Sequence, residues 1–308
     1  MSWSAEPGRP VTAARVRALL AAGALALACA APARAQGDAP RPHTASPSVS
    51  VLDTAFAMPQ LGRTRRVWIY LPPGYAASRA RYPVIYMQDG QNVFDAATSY
   101  AGEWGVDEAL DSLRAAGDPG AIVVAVDNGQ QLRIAEYSPW KHPQHGGGEG
   151  DAYADFLALT LKPWIDRRFR TRPDRESTAV MGSSMGGLIS LHAALRHPRT
   201  FGRVGVFSPS LWFSPAVYAA ASGARRLRER PRIYFVSGGR EGPPEDPGIV
   251  VRDQQRMVDT LAAAGFRVGS DVLAAAPADG QHSEWFWRRE FPAAYRWLFG
   301  RSDNRRGQ

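Results

Sequence analysis

One cysteine, Cys29, occurs in the 308 residues, and it sits inside an apolar N-terminal run. Once that run is cleaved no thiol remains, which excludes intramolecular disulfides, thiolate catalysis and cysteine-ligated metals. The H-E-x-x-H zinc signature is also missing, so no metal or other cofactor is expected. After the leader no apolar run approaches the about 18 residues that a membrane-spanning helix needs. A basic stripe is absent too. The formal charge is +8, but the arginines behind it are scattered among acids, as on a solvated mixed-charge surface and not on a nucleic-acid-binding face. Histidine is scarce, 6 in all, which leaves few candidates for a general base.

Apolar character is plentiful, at 44% of residues, ample for one large α/β core. Arg15 and Arg17 precede the run ALLAAGALALACAA, and Ala33-Arg34-Ala35 follows with the small residues a signal peptidase reads. Residues 1–35 therefore read as a cleaved secretory signal, with a periplasmic or secreted destination for the mature chain. Cleavage takes away four arginines and one glutamate and leaves a charge of +5. Lipidation at Cys29 is the weaker reading, because Ala26-Leu27-Ala28 has the aliphatic and small residues in the wrong order. Residues 36–48 are rich in Pro, Ser and Ala without a period and read as a disordered leader. Residues 301–308 read as a C-terminal tail.

From Val49 onward, β-rich apolar runs alternate with amphipathic segments. The runs are 65–71, 82–88, 121–126, 177–182, 203–208, 232–237 and 267–273. Helices are expected near 104–116, 151–169, 184–197, 249–265 and 284–299. Central strands apolar on both faces imply a mainly parallel sheet flanked by helices, here one domain over 49–300.

The segment VMGSSMGG contains G-x-S-x-G at Gly182, Ser184 and Gly186. The pattern alone is weak, but here a short apolar strand precedes it and the helical run LISLHAALRHP follows it. That context is a nucleophile elbow. Glycines make room for a tight strand-to-helix turn, and Ser184 is pushed out at a helix N-terminus whose partial positive charge favours an oxyanion. The competing structural reading is two glycines that merely allow close packing. Ser183 is displaced by one position and points elsewhere.

A serine nucleophile needs a base and the base an orienting acid, which follow it on such a sheet in the order acid, histidine. His192 and His197 lie in or at the end of the elbow helix and cannot turn back to Ser184. His282 remains, in a loop between the last expected strand and the last helix. For the acid, Glu241 follows the strand RIYFVS, with Asp246 and then Asp279 as alternatives. The Met185 amide and the Gln91 amide after Gly90 are the candidate oxyanion donors. His145-Gly146-Gly147-Gly148 imitates a lipase oxyanion motif but falls just before the helix at 151, the wrong place in the chain, and reads as a mobile loop.

YPVIYMQDGQNVFD, EWGVDEAL, NGQQLRIAEYSPW, VMGSSMGGLISLHAALRHPRTFG and QHSEWFWRR together resemble the Putative esterase family of α/β-hydrolases over roughly residues 49–300. That family includes feruloyl and acetyl carbohydrate esterases, siderophore esterases, S-formylglutathione hydrolase and mycolyltransferases. The resemblance implies an α/β-hydrolase fold, Ser184 as nucleophile and His282 as base. Glu241 stands where many members carry aspartate. Trp212 and Arg133 are candidate substrate contacts; Glu136 and Tyr137 either border the site or brace a loop. The function expected is a metal-independent serine esterase acting on a small-molecule or carbohydrate ester. Its rivals are an acyltransferase and a non-catalytic binding protein of the same fold.

Overall fold

Segments such as VIYM, IVVAV and TAVMGS offer no polar face to water, so the sheet they form must be covered on both sides. The computed structural model describes residues 41–300 and has ten strands: β1 (Val49–Met58), β2 (Arg63–Tyr70), β3 (Val84–Met87), β4 (Ile122–Val126), β5 (Lys141–His142), β6 (Gly146–Gly147), β7 (Thr178–Ser183), β8 (Arg203–Phe207), β9 (Arg232–Val236) and β10 (Val272–Ala275). Eight form one sheet in the order β1-β2-β4-β3-β7-β8-β9-β10. The pairings β1–β2 and β2–β4 are antiparallel, and the rest are parallel. β5 and β6 make a separate two-stranded hairpin.

The helices are α1 (Val106–Ala115), α2 (Arg133–Glu136), α3 (Gly150–Asp155), α4 (Lys162–Arg168), α5 (Met185–Arg196), α6 (Ala216–Gly223), α7 (Ile249–Ala263) and α8 (Glu284–Phe299). Alternate residues of the central strands feed two core layers. Tyr86, Val124 and Val180 join residues from α3, α5, α6 and α7, whereas Met87, Ala125 and Met181 join residues from α1 and α8. Every parallel strand thus carries its C-terminal end to one rim of the sheet, where ligands of open α/β sheets bind.

Three expectations are corrected. The leader expected to be disordered through residue 48 is placed against the domain from residue 41: Thr44 Oγ1 donates to Glu103 at 2.7 Å and the Ser46 amide to Asp107 at 2.7 Å. Composition suggested disorder because the acids that tie this segment down lie far along the chain. The helix expected over 151–169 is interrupted by a π-helical turn at Phe156–Leu161. Pro163, near the start of α4, has no amide to donate, and the wider turn before it accommodates the loss. Of the strand expected at 267–273 only its end survives in β10, because Gly269 takes a φ of 88° in the turn before it. β1, α2, β5 and α6 have no counterpart among the expected elements. The proposed signal and the tail lie outside the described residues, within which no helix is long and apolar enough to cross a membrane.

Candidate active site

β7 ends at Ser183 and α5 starts at Met185, so Ser184 is the whole turn between them. Its φ of 58° is a left-handed value that costs a non-glycine residue of order 1–3 kcal/mol. The turn is held on three sides. The Ser184 amide donates to Phe207 O at 2.9 Å, and Ser184 O accepts from the Gly187 and Ser210 amides, each at 3.1 Å. A Cβ on Gly182 would stand 2.8 Å from the Gly186 carbonyl, which explains why the pattern needs glycine there. Ser183 is buried as the last residue of the strand.

Across the rim, the loops after β9 and β10 meet. Glu241 Oε2 lies 3.0 Å from His282 Nδ1, with the carboxylate fully buried and the imidazole 40% exposed. The other carboxylate oxygen accepts from Ser208 Oγ at 2.6 Å and from the Gly238 amide. Trp287 Nε1 donates in turn to Ser208 Oγ at 2.8 Å, and its ring supports His282 edge-to-face at 5.2 Å. Indole, hydroxyl, carboxylate and imidazole thus form one chain that fixes how the imidazole faces the cavity. Ser208 and Trp287 escaped the sequence reading. The signal for Ser208 was its place at the end of a parallel strand, one residue past β8.

The alternative acids are engaged elsewhere, Asp246 with Arg252 and Asp279 with Arg289, whose Nη2 donates to it at 3.0 Å. His192 and His197 pair with Asp151 and Asp155 of α3, each at 2.7 Å. Ser184 and His282 line the same cavity of about 850 Å³. They are not hydrogen-bonded to each other; Ser184 Oγ instead lies 3.3 Å from Ser210 Oγ. Gln91 also lines this cavity, and its side chain accepts from the Asn128 amide at 3.1 Å. Met185 begins α5 directly after the serine.

Arg133 borders the cavity and grips Asp89 with two bonds, of 2.6 and 2.9 Å. Glu136 and Tyr137 brace the loop instead. Glu136 is buried against Arg63 and Arg65, and the Tyr137 hydroxyl accepts from the Asp89 amide at 3.1 Å. Trp212 is 57% exposed and does not line the cavity. It lies two residues past Ser210, against the stacked rings of His142 and His145. The HGGG segment, expected as a mobile loop, supplies β6 of the hairpin. A second cavity of about 900 Å³, lined by Pro83, Asp118 and Arg203, contains none of the candidate residues. No cluster of three metal-ligating side chains occurs among the described residues.

A mostly parallel sheet, an elbow serine and a histidine–carboxylate pair at its C-terminal rim define an α/β-hydrolase. The chain belongs to the Putative esterase family, whose model matches residues 58–298. Among curated proteins it is 26% identical over 247 residues to the uncharacterized protein YbbA of Bacillus subtilis, covering 77% of this chain and 94% of that one. It is 28% identical to the iron(III) enterobactin esterase of Dickeya dadantii, covering 83% and 56%, and 26% identical to the endo-1,4-beta-xylanase/feruloyl esterase of Xylanibacter ruminicola, covering 78% and 30%. The chain therefore spans little more than half of the first of these two enzymes and less than a third of the second. Among solved structures, the enterobactin esterase of Shigella flexneri in the presence of enterobactin superimposes with a TM-score of 0.64 at 21% identity, over 85% of this chain and 61% of that one. A ferulic acid esterase gives 0.58 at 17%, over 82% and 98%.

Proposed function

We propose that the protein is a secreted serine esterase that hydrolyses a carboxylic ester through an acyl-enzyme. The observation that carries this reading is the Glu241–His282 pair at 3.0 Å, opening onto the cavity that Ser184 also lines. With Nδ1 occupied by Glu241, His282 Nε2 is left to take the Ser184 proton as Oγ leaves Ser210. Oγ attacks the ester carbonyl, and the amides of Met185 and Gln91 receive the negative charge that develops on its oxygen. His282 hands the proton to the departing alkoxide; water, deprotonated by the same imidazole, then cleaves the acyl-serine and restores Oγ–H. Relatives named as a feruloyl esterase and an iron(III) enterobactin esterase support a carboxylic ester, of one kind or another, as substrate.

The test is covalent. A serine-directed phosphonate should abolish turnover of 4-nitrophenyl acetate and leave its adduct on the peptide containing VMGSSMGG. Persistent activity, or an adduct elsewhere, overturns the mechanism. Secretion is tested separately, by expressing the full chain and sequencing the exported N-terminus, expected at Gln36; a full-length cytoplasmic product overturns it.

A further inference from the structure

Glu284 has no part in the chemistry above, yet it lines the same cavity two residues beyond His282 and is only 8% exposed. Among the described residues no hydrogen bond or ion pair from another residue engages its carboxylate. Its neighbour one helical turn on, Arg288, turns away to Glu103 at 3.3 Å and Glu108 at 3.7 Å. Burial holds the Glu284 carboxyl above the usual carboxylate range, while its own amide and His282 oppose the rise. An acid in the first turn of a helix is favoured by the helix dipole, but a solvent-facing carboxylate would serve that purpose without desolvation. A carboxylate that lines a cavity with no hydrogen bond from another residue is open to one from a bound molecule.

The other charges in the cavity sharpen the choice of partner. The guanidinium of Arg133 is committed to Asp89 through two bonds, so the pair cancels. Glu284 is then the acid of the lining that has no ion-pair partner among the described residues. The rest of the lining is largely amide and hydroxyl, including Asn92, Thr98, Asn128 and Gln130, with Tyr100 standing 87% exposed at the rim.

Building on the esterase reading, we propose that Glu284 accepts hydrogen bonds from hydroxyls of an uncharged, polyhydroxylated ester and makes the cavity reject strongly anionic esters such as ferric catecholates. Sites built to bond a substrate hydroxyl discriminate strongly against analogues lacking it, and like charges set against each other add a repulsive element.

The experiment compares wild type and Glu284→Gln on three probes: a mono-acetylated xylose, 4-nitrophenyl acetate and a ferric tris-catecholate triester. The variant is expected to lose about 10-fold or more in kcat/KM on the acetylated sugar relative to its loss on 4-nitrophenyl acetate, chiefly through KM. Its ratio of ferric-ester to sugar-ester turnover should rise about 10-fold. Equal losses on the sugar and 4-nitrophenyl esters would show that Glu284 acts through His282 or the helix, and would overturn the proposal, as would an unchanged ratio. Calorimetric titration of the acetylated sugar into Ser184→Ala and Ser184→Ala/Glu284→Gln decides the point without turnover. Weaker binding to the double variant is expected, and equal binding overturns the proposal. If wild type cleaves none of the esters, the esterase reading falls while this titration still decides the role of Glu284.

Discussion

At the scale of single residues, the geometry separates side chains that look alike in the sequence. Glu241, Asp246 and Asp279 are three acids in neighbouring loops, but only Glu241 is paired with His282; the other two hold arginines on the surface. Ser184→Ala is expected to lower kcat on 4-nitrophenyl acetate by about 10⁴-fold, and adding His282→Ala should cost little more because the two act as one unit. Initial rates on the single and double variants check this. Glu241→Gln should cost about 10²- to 10⁴-fold, since an amide cannot accept through both ends from Ser208, Gly238 and the imidazole. Asp246→Asn and Asp279→Asn should stay within about 3-fold of wild type, as expected for surface charge changes. If either matches the loss in Glu241→Gln, the acid has been misassigned.

At the scale of elements, the site depends on close approaches between loops and on buried acids beneath them. A Cβ on Gly238 would stand 2.2 Å from the Gly280 backbone, at the point where the loops after β9 and β10 touch. Gly238→Ala must push the Glu241 loop away from the His282 loop. It is therefore expected both to destabilise the fold by about 1–3 kcal/mol and to lower kcat in the molecules that remain folded. Thermal melting and active-site titration separate the two effects. In α1, burial pushes the Asp107 carboxyl up to about 7 from its usual 3.8, against the opposing Ser46 amide. The folded state then holds this proton more tightly than the unfolded chain, so the contribution is complete below about pH 4 and is lost as pH rises through about 7. Asp107→Asn keeps an oxygen for Ser46 and removes the titration. Melting temperatures from pH 4 to pH 8 should therefore shift in favour of the variant as pH increases.

At the scale of the whole molecule, the segment before β1 bears on the site from a distance. Arg41 donates to Ser99 O at 2.8 Å and to Tyr100 O at 3.0 Å, in the loop that walls the cavity. His43 and Thr44 hold Asp95 at the base of that loop, at 2.7 and 3.1 Å. A chain beginning at Val49 should melt several degrees lower and show a raised KM with a smaller change in kcat, because the wall moves while the Glu241–His282 pair does not. Kinetics on the truncated chain and on one that keeps residues 41–48 check this, and an unchanged KM would show that the segment merely lies on the surface.

The sequence by itself determined the layered α/β architecture, the elbow at Ser184 and the short list that led to His282 and Glu241. These rest on local information: period, the strand-to-helix change at the glycines, and the order of groups along a parallel sheet. Tertiary structure decided what depends on loops from different strands meeting at the rim. Ser208 and Trp287 are 79 residues apart, and no local pattern joins them into one hydrogen-bonded chain. The same holds for residues 41–48, whose composition suggests disorder until acids 51 to 61 residues away tie them down. It holds too for Trp212, which sequence placed by its neighbourhood and which the fold directs outside the cavity, and for Glu284, whose ordinary place in a first helical turn gives no sign that it lines the cavity.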